Sequence, residues 1–301
     1  MNSADFAGHK AGYVAVLGRP NVGKSSLVNA LLGQKIAAVT SKAQTTRRRQ
    51  LGILSEPGHQ IIFTDTPGIH QERNKLGALM NQDARKALDD ADIALLVLDT
   101  SQSLHAEDRD LIDWLAKAQQ QLPVWLALNK IDTVKPVALD EIKRIQTERL
   151  AAAPLFEVSA LSGQGLPELK TALIEALPAS PPFYDPQQVT DLYERQLAAD
   201  LIREAALNAL RDEVPHGIAV RIDEFAERGE TGARIEATLF VERESHKGIV
   251  VGQGGSQIKA IGTAARQEIE RMSGRKVFLQ LRVKVRKNWR NDEAVLQRFG
   301  Y

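Results

Sequence analysis

The chain has 301 residues, 39 Lys+Arg against 38 Asp+Glu, 43% hydrophobic residues and no cysteine, which predicts an ordinary globular protein long enough for two cores. Disulfides, thiolate metal sites and a cysteine nucleophile are excluded, and a reducing compartment fits. The N-terminus lacks an apolar signal core, and the longest strongly apolar run, Ile93 to Leu98, is too short to span a bilayer, so the expected location is cytoplasmic.

In chain order, β-branched apolar runs predict strands at 13–17, 60–64, 93–99, 124–129 and 155–158. Helical periodicity follows at 25–32, 75–89, 105–121, 138–151 and 166–177. This alternation predicts an α/β domain with a mostly parallel sheet and right-handed crossovers. Four prolines between Pro178 and Pro186 cannot continue a helix and mark a domain boundary. Beyond them come a long amphipathic helix at 189–210, strands at 216–227 and 233–242, a glycine loop, a helical run to Met272 and a strand at 276–286. The expected organisation is therefore an α/β domain at 1–177, a linker at 178–188 and a smaller α+β domain at 189–301.

Charge is uneven along this plan. Residues 1–177 carry 20 charges of each sign, residues 178–245 carry 7 basic and 14 acidic, and residues 246–301 carry 12 basic and 4 acidic. A basic terminal segment implies either a polyanionic partner or a solvated basic face. The run Arg47-Arg48-Arg49 suits RNA contact or a solvated basic strand, and the second reading is favoured. Trp114, Trp125 and Trp289 read as packing residues. His70 and the other histidines show no metal-ligand spacing.

The first domain carries a nucleotide site in four pieces. Gly18-Arg19-Pro20-Asn21-Val22-Gly23-Lys24-Ser25, followed by Ser26, lies between a strand and a helix, the setting a phosphate loop requires. Glycines at 18 and 23 let backbone N–H groups turn toward phosphate, Lys24 neutralises the β- and γ-phosphates, and the Ser25 hydroxyl ligates Mg2+. Asp65-Thr66-Pro67-Gly68 ends the next strand. There an aspartate holds Mg2+ and a glycine N–H senses the γ-phosphate. Asn129-Lys130-Ile131-Asp132 selects the base: the Asp132 carboxylate accepts from N1–H and the 2-amino group of guanine, which adenine cannot match. Asn129 braces this loop, the Lys130 stem lies along the ring, and Ser159-Ala160-Leu161 offers the Ala160 N–H to the guanine O6. Each piece ends its own strand, where open α/β sheets bind ligands. GTP and GDP are the expected ligands.

With Lys42-Ala-Gln-Thr-Thr-Arg47, these motifs resemble the translation-factor-like GTPases of the Era group. The run from Ile249 to Ile258, containing Gly252-Gln253-Gly254-Gly255, resembles the Gly-x-x-Gly loop of a type II KH domain. The resemblance covers almost the whole chain. It implies a bacterial ribosome-assembly GTPase that binds the 3′ end of small-subunit ribosomal RNA and the 30S subunit, with peripheral membrane association; DNA is not an expected partner. It also implies Lys24, Thr46, Gly68 and Asn21 as catalytic residues and Ser25, Thr46 and Asp65 as Mg2+ ligands, with the choice between Thr45 and Thr46 open. Residue 69 is Ile where other GTPases carry a water-positioning glutamine. In related GTPases of the group an asparagine at the place of Asn21 accompanies potassium activation, so Asn21 either ligates K+ or only shapes its loop. For RNA, the glycines admit the sugar–phosphate backbone, Ile249, Val250, Ile258 and Ile261 form an apolar groove, and Lys247, Lys259 and Arg266 meet phosphates. Two other readings stand beside the enzymatic switch: an RNA-binding assembly module for which GTP is only a conformational ligand, and a membrane-associated regulator whose basic tail meets anionic lipid.

Overall fold

The computed structural model describes residues 8–42, 44–69, 74–119, 121–151, 153–229 and 232–301. It contains two compact units, Met1–Lys35 with Thr46–Gln71 and Met80–Asp191, and Ile36–Thr45 with Glu72–Leu79 and Leu192–Tyr301.

The first unit is built on strands β1 (Lys10–Leu17), β2 (Gln50–Glu56), β3 (His59–Asp65), β4 (Ile93–Asp99), β5 (Val124–Asn129) and β6 (Leu155–Glu157), in the spatial order β2-β3-β1-β4-β5-β6. All neighbours are parallel except β2 and β3. Every residue of β4 and of β5 is buried, which is why they read as unbroken apolar runs: a parallel sheet is covered on both faces. The covering helices include α1 (Lys24–Leu32), α3 (Ala106–Ala118), α4 (Pro136–Arg149) and α5 (Leu166–Ala176). Helix α2 (Lys75–Asp89) matches its predicted span.

Strand β2 is absent from the sequence reading. It follows the arginine run directly and pairs antiparallel with β3 from Gln50↔Asp65 to Glu56↔His59. The arginines are not a solvated strand. Arg47 is buried, Arg48 is half-buried, and Arg49 is exposed beside Asp90 at 3.7 Å.

The proline-rich segment is docked on the sheet along its length. Ala11 N–H donates to the Pro178 carbonyl at 3.2 Å, and the Gln60 carboxamide accepts from the N–H groups of Phe183 and Tyr184 at 2.8 and 3.0 Å while donating to the Tyr184 carbonyl at 2.9 Å. Farther on, Ile53 N–H donates to the Val189 carbonyl at 2.9 Å and Leu51 N–H to Asp191 at 2.8 Å. The segment thereby satisfies outward N–H groups of edge strand β2.

The second unit holds α6 (Glu194–Ala209), β7 (Ala219–Arg228), β8 (Gly232–Val241), α7 (Glu244–Val251), α8 (Ser256–Ser273), β9 (Lys276–Val285) and α9 (Glu293–Arg298). Its sheet runs β7-β8-β9, antiparallel then parallel. Ile202, Ala206, Ile235, Leu239, Ile261 and Ile269 lie in one apolar core between helices and sheet. Trp289 is fully buried, donates its indole N–H to the Gly217 carbonyl at 2.9 Å and meets Phe299 edge-on, as a packing residue.

Candidate nucleotide site and glycine loop

The phosphate loop runs from the buried end of β1 into α1. Gly18 has φ +147° and Gly23 φ +99°, and each is hemmed in: a Cβ on Gly18 would lie 2.6 Å from the Val97 carbonyl oxygen, and one on Gly23 would lie 2.3 Å from Asn129 Nδ2. Side chains are therefore excluded at both places by conformation and by space. Asn21 is a non-glycine residue at φ +67°. The buried Lys24 ammonium donates to the carbonyls of Gly18 and Arg19 at 2.9 and 3.0 Å, and burial pushes its pKa down to about 8.

Ser25, Thr46 and Asp65 meet at the end of β3. The Ser25 hydroxyl donates to Asp65 Oδ2 at 2.6 Å and lies 2.8 Å from the Thr46 hydroxyl, which donates to the same carboxylate oxygen at 3.4 Å. Thr45 is turned elsewhere, to Thr40 at 2.7 Å and the Lys42 carbonyl at 2.8 Å. Asp65 is fully buried, its other oxygen has no hydrogen-bond partner, and burial raises its pKa. An orphaned carboxylate oxygen beside two hydroxyls suits a hard divalent cation, and Mg2+ typically takes one or two carboxylates with the remaining ligands from hydroxyl, water and phosphate. Gly68 packs against this loop so closely that a Cβ there would lie 2.5 Å from the Pro20 nitrogen. Thr66 is buried with its hydroxyl on the Val16 carbonyl, so it anchors β1 to β3. Ile69 is half-buried and packs against the apolar cluster that includes Leu17, Leu96 and Leu111.

The base-side loops are tied to the phosphate loop. Buried Asn129 donates to the Val22 carbonyl at 2.9 Å and accepts the Ala160 N–H at 3.0 Å. That N–H, which the sequence reading reserves for guanine, is thus engaged by Asn129 here. Asp132 is exposed, and one of its oxygens accepts the Ser159 hydroxyl at 2.6 Å. Leu161 is exposed. Lys130, at φ +67°, donates to the Asn21 carbonyl at 2.9 Å and to Asp99 at 2.7 Å.

Sequence reasoning missed the charges behind this loop. Arg19 is buried and donates to Asp108 at 2.9 Å, and Asp99 lies 4.0 Å from the same guanidinium. Burial works to raise the Asp99 pKa, but hydrogen bonds from Lys130 and Ser101 overcome it and hold the carboxyl below the usual range. No local motif signals these carboxylates: Asp108 meets Arg19 across 89 positions of chain, and Asp99 meets Lys130 across 31.

In the second unit, α7 ends at Gly252 (φ +72°), and Gly254 (φ +58°) and Gly255 (φ +79°) complete the loop into α8. No atom lies within 4 Å of a Cβ built on Gly254 or Gly255, so the loop backbone opens outward. Ile249 is exposed and Ile258 half-buried, but Val250 and Ile261 are wholly buried in the core and form no part of a groove. On helices α7 and α8, the side that faces the sheet takes them. Gln253 and Lys259 are exposed. Lys247 lies 4.0 Å from Glu244, and Arg266 donates to Glu270 at 3.1 Å, so these two cations are already partly matched. Ala43 and His70 lie outside the described residues. Among the described residues no cluster of three or more His, Cys, Asp or Glu is placed to hold a metal.

Family models match at both ends of the chain: a 50S ribosome-binding GTPase model over residues 13–130 and a KH domain model over residues 213–290. The chain is 41% identical to GTPase Era of Carboxydothermus hydrogenoformans, over 97% of this chain and 98% of that one. It is 45% identical to GTPase Era of Crocosphaera subtropica, over 98% and 93%. A crystal structure of Era in complex with MgGDPNP and nucleotides 1506–1542 of 16S ribosomal RNA superposes with a TM-score of 0.92 at 38% identity, covering 97% of this chain and 99% of that one. A point variant of Aquifex aeolicus Era bound to GDP·AlF4− gives 0.91 at 38% identity over the same shares.

Proposed function

Because this chain belongs to the Era family of GTPases, we propose that it works as a GTP-hydrolysing switch that binds the 3′ end of small-subunit ribosomal RNA and assists assembly of the 30S subunit. The observation that carries the switch is the buried Asp65 carboxylate with one orphaned oxygen beside the Ser25 and Thr46 hydroxyls. In this reading Ser25, Thr46 and Asp65 hold Mg2+, which supplies charge neutralisation at the β- and γ-phosphates when bound. Lys24 leaves the Gly18 and Arg19 carbonyls for the same phosphates, and the rest of 18–26 lines them. The Gly68 N–H, backed against Pro20, senses the γ-phosphate. Asp132, oriented by Ser159, takes the N1 and 2-amino edge of guanine; Asn129, Lys130 and Leu161 flank the base, and Asn129 yields the Ala160 N–H to O6. Because Ile69 is committed to the apolar core, no side chain at that position orients water. Asn21 would be the ligand for K+, which would supply positive charge beside the β- and γ-phosphates when bound.

The RNA site in this reading is the outward-open Gly252–Gly255 loop, with Ile249, Ile258 and Lys259 beside it and Lys247 and Arg266 released from their acidic neighbours on contact with phosphate. The basic 246–301 segment supports peripheral contact with anionic lipid as the finer location. No helix among the described residues is long and apolar enough to cross a membrane.

The experiment is GTP turnover by the full chain with and without a fragment of the 3′ end of 16S ribosomal RNA, in K+ and in Na+ at equal ionic strength. Turnover stimulated by RNA and by K+ is expected. A potassium response that survives in Asn21→Ala would discard Asn21 as the ligand, and turnover indifferent to RNA would refute the switch.

A further inference from the structure

Asp99 sits where β4 ends, 3% exposed, and takes more contacts than a turn requires. One oxygen accepts the Ser101 N–H at 2.9 Å and the Ser101 hydroxyl at 2.6 Å. The other accepts Gln102 Nε2 at 2.8 Å and the Lys130 ammonium at 2.7 Å, with the Arg19 guanidinium 4.0 Å away. The two cations come from different parts of the nucleotide site. Arg19 is the second residue of the phosphate loop. Lys130 belongs to the base-side loop and its ammonium also caps the Asn21 carbonyl at 2.9 Å. That cap falls on a residue at φ +67°. Its left-handed backbone costs free energy in any residue other than glycine and persists only where surrounding contacts over-determine it.

We infer that Asp99 is a nucleotide-retention residue: its buried carboxylate clasps Lys130 to the Asn21 carbonyl and so ties the base-side loop to the phosphate loop. The Lys130 side chain is about one-third exposed (35%). Without its counter-ion, a lysine so placed has no reason to stay over a neutral carbonyl when water is within reach. Arg19 would remain fixed by Asp108, so the clasp on Lys130 is the contact that Asp99 alone supplies. When it opens, Asn21 relaxes and the two halves of the site move independently. Phosphate and base contacts then no longer release together, and each half lets go more readily. Asp99 touches no nucleotide atom in this account; it is a positioning residue, and its effect falls on residence rather than on phosphoryl transfer.

The inference rests on the reading that these two loops hold guanine nucleotide. The test measures release of a fluorescent GDP analogue from the full chain by stopped flow, and single-turnover hydrolysis of bound GTP in parallel. Asp99→Asn keeps the shape and the Ser101 contacts but removes the charge. It is expected to speed release about tenfold or more, with at least a several-fold smaller effect on the single-turnover rate. Lys130→Met should speed release comparably, and the double variant should release no faster than the quicker single one, because both break one tie. Ser101→Ala and Gln102→Ala remove the other donors to the same carboxylate and should leave release within about twofold. Release unchanged in Asp99→Asn, effects of Asp99→Asn and Lys130→Met that multiply, or an equal acceleration in Ser101→Ala would each overturn the inference, the last by showing that Asp99 only shapes its turn. A wild-type chain that fails to hold the GDP analogue would instead overturn the nucleotide reading itself.

Discussion

The Arg19–Asp108 pair allows a stability prediction to be worked from the structure. The Arg19 and Asp108 side chains are 11% and 2% exposed and joined at 2.9 Å. Asp108 Oδ2 also accepts the His105 N–H at 3.0 Å, while its Oδ1 is buried with no partner. Removing one member of a buried pair leaves the other charge desolvated and costs about 3–5 kcal/mol. The surviving His105 bond and the residual exposure of Arg19 argue for the lower end, so Arg19→Met should destabilise the first unit by about 3 kcal/mol. Removing both charges with Arg19→Met and Asp108→Leu eliminates the desolvation cost along with the attraction, and should cost only about 1 kcal/mol. The two substitutions are therefore coupled by about 2 kcal/mol or more. The two units need not unfold together, so a single melting curve is the wrong measure. Native-state hydrogen exchange of β1 and β4 amides in the nucleotide-free chain reads the first unit alone. A loss below about 1 kcal/mol in Arg19→Met, or a double variant as unstable as the summed singles, would refute the argument that this pair is a desolvated unit.

Asp132→Asn should move nucleotide preference from guanine toward xanthine, measured by competition binding; an unchanged preference for GTP would remove Asp132 from base selection. Replacing Gly254 and Gly255 by Asp forces side chains into left-handed backbone and sets two carboxylates where RNA phosphate is expected. Fluorescence anisotropy should show loss of single-stranded RNA binding by the full chain, and wild-type affinity in matched salt would leave the basic segment as a solvated face. For pH, Lys24 titrates near 8 in the folded, nucleotide-free chain against 10.5 for an ordinary lysine. Between these values the unfolded chain binds the extra proton, so the Lys24 contribution makes stability rise with pH, by up to about 1.4 kcal/mol per unit. Lys24→Met should flatten the first unit's stability profile from pH 8 to about 10, read by urea unfolding followed through NMR signals of β1 and β4, and a profile identical to wild type would sink the assignment.

The runs proposed for phosphate, magnesium and base were legible in the sequence because each is contiguous: Gly18–Ser25, Asp65–Gly68 and Asn129–Asp132 hold their polar groups within a few positions. Strands β4 and β5 were legible for a related reason, since burial on both faces leaves an uninterrupted apolar run that needs no knowledge of the partner. Contacts between distant positions were not. Strand β2 owes its place to β3 on one side and to Val189 and Asp191 on the other. The proline-rich segment lies on the sheet because the Gln60 carboxamide holds Phe183 and Tyr184, 123 and 124 positions later. Which threonine meets Ser25 and Asp65 depends on how the chain enters β2, a matter of backbone path that Thr45-Thr46 cannot reveal. The same holds for Val250 and Ile261, whose apolar side chains suit a groove or a core equally well until the sheet claims them. Burial of Arg19 with Asp108 and Asp99 is the furthest case. An arginine in a loop is ordinarily solvated, and only the tertiary fold brings two carboxylates behind it to make burial tolerable.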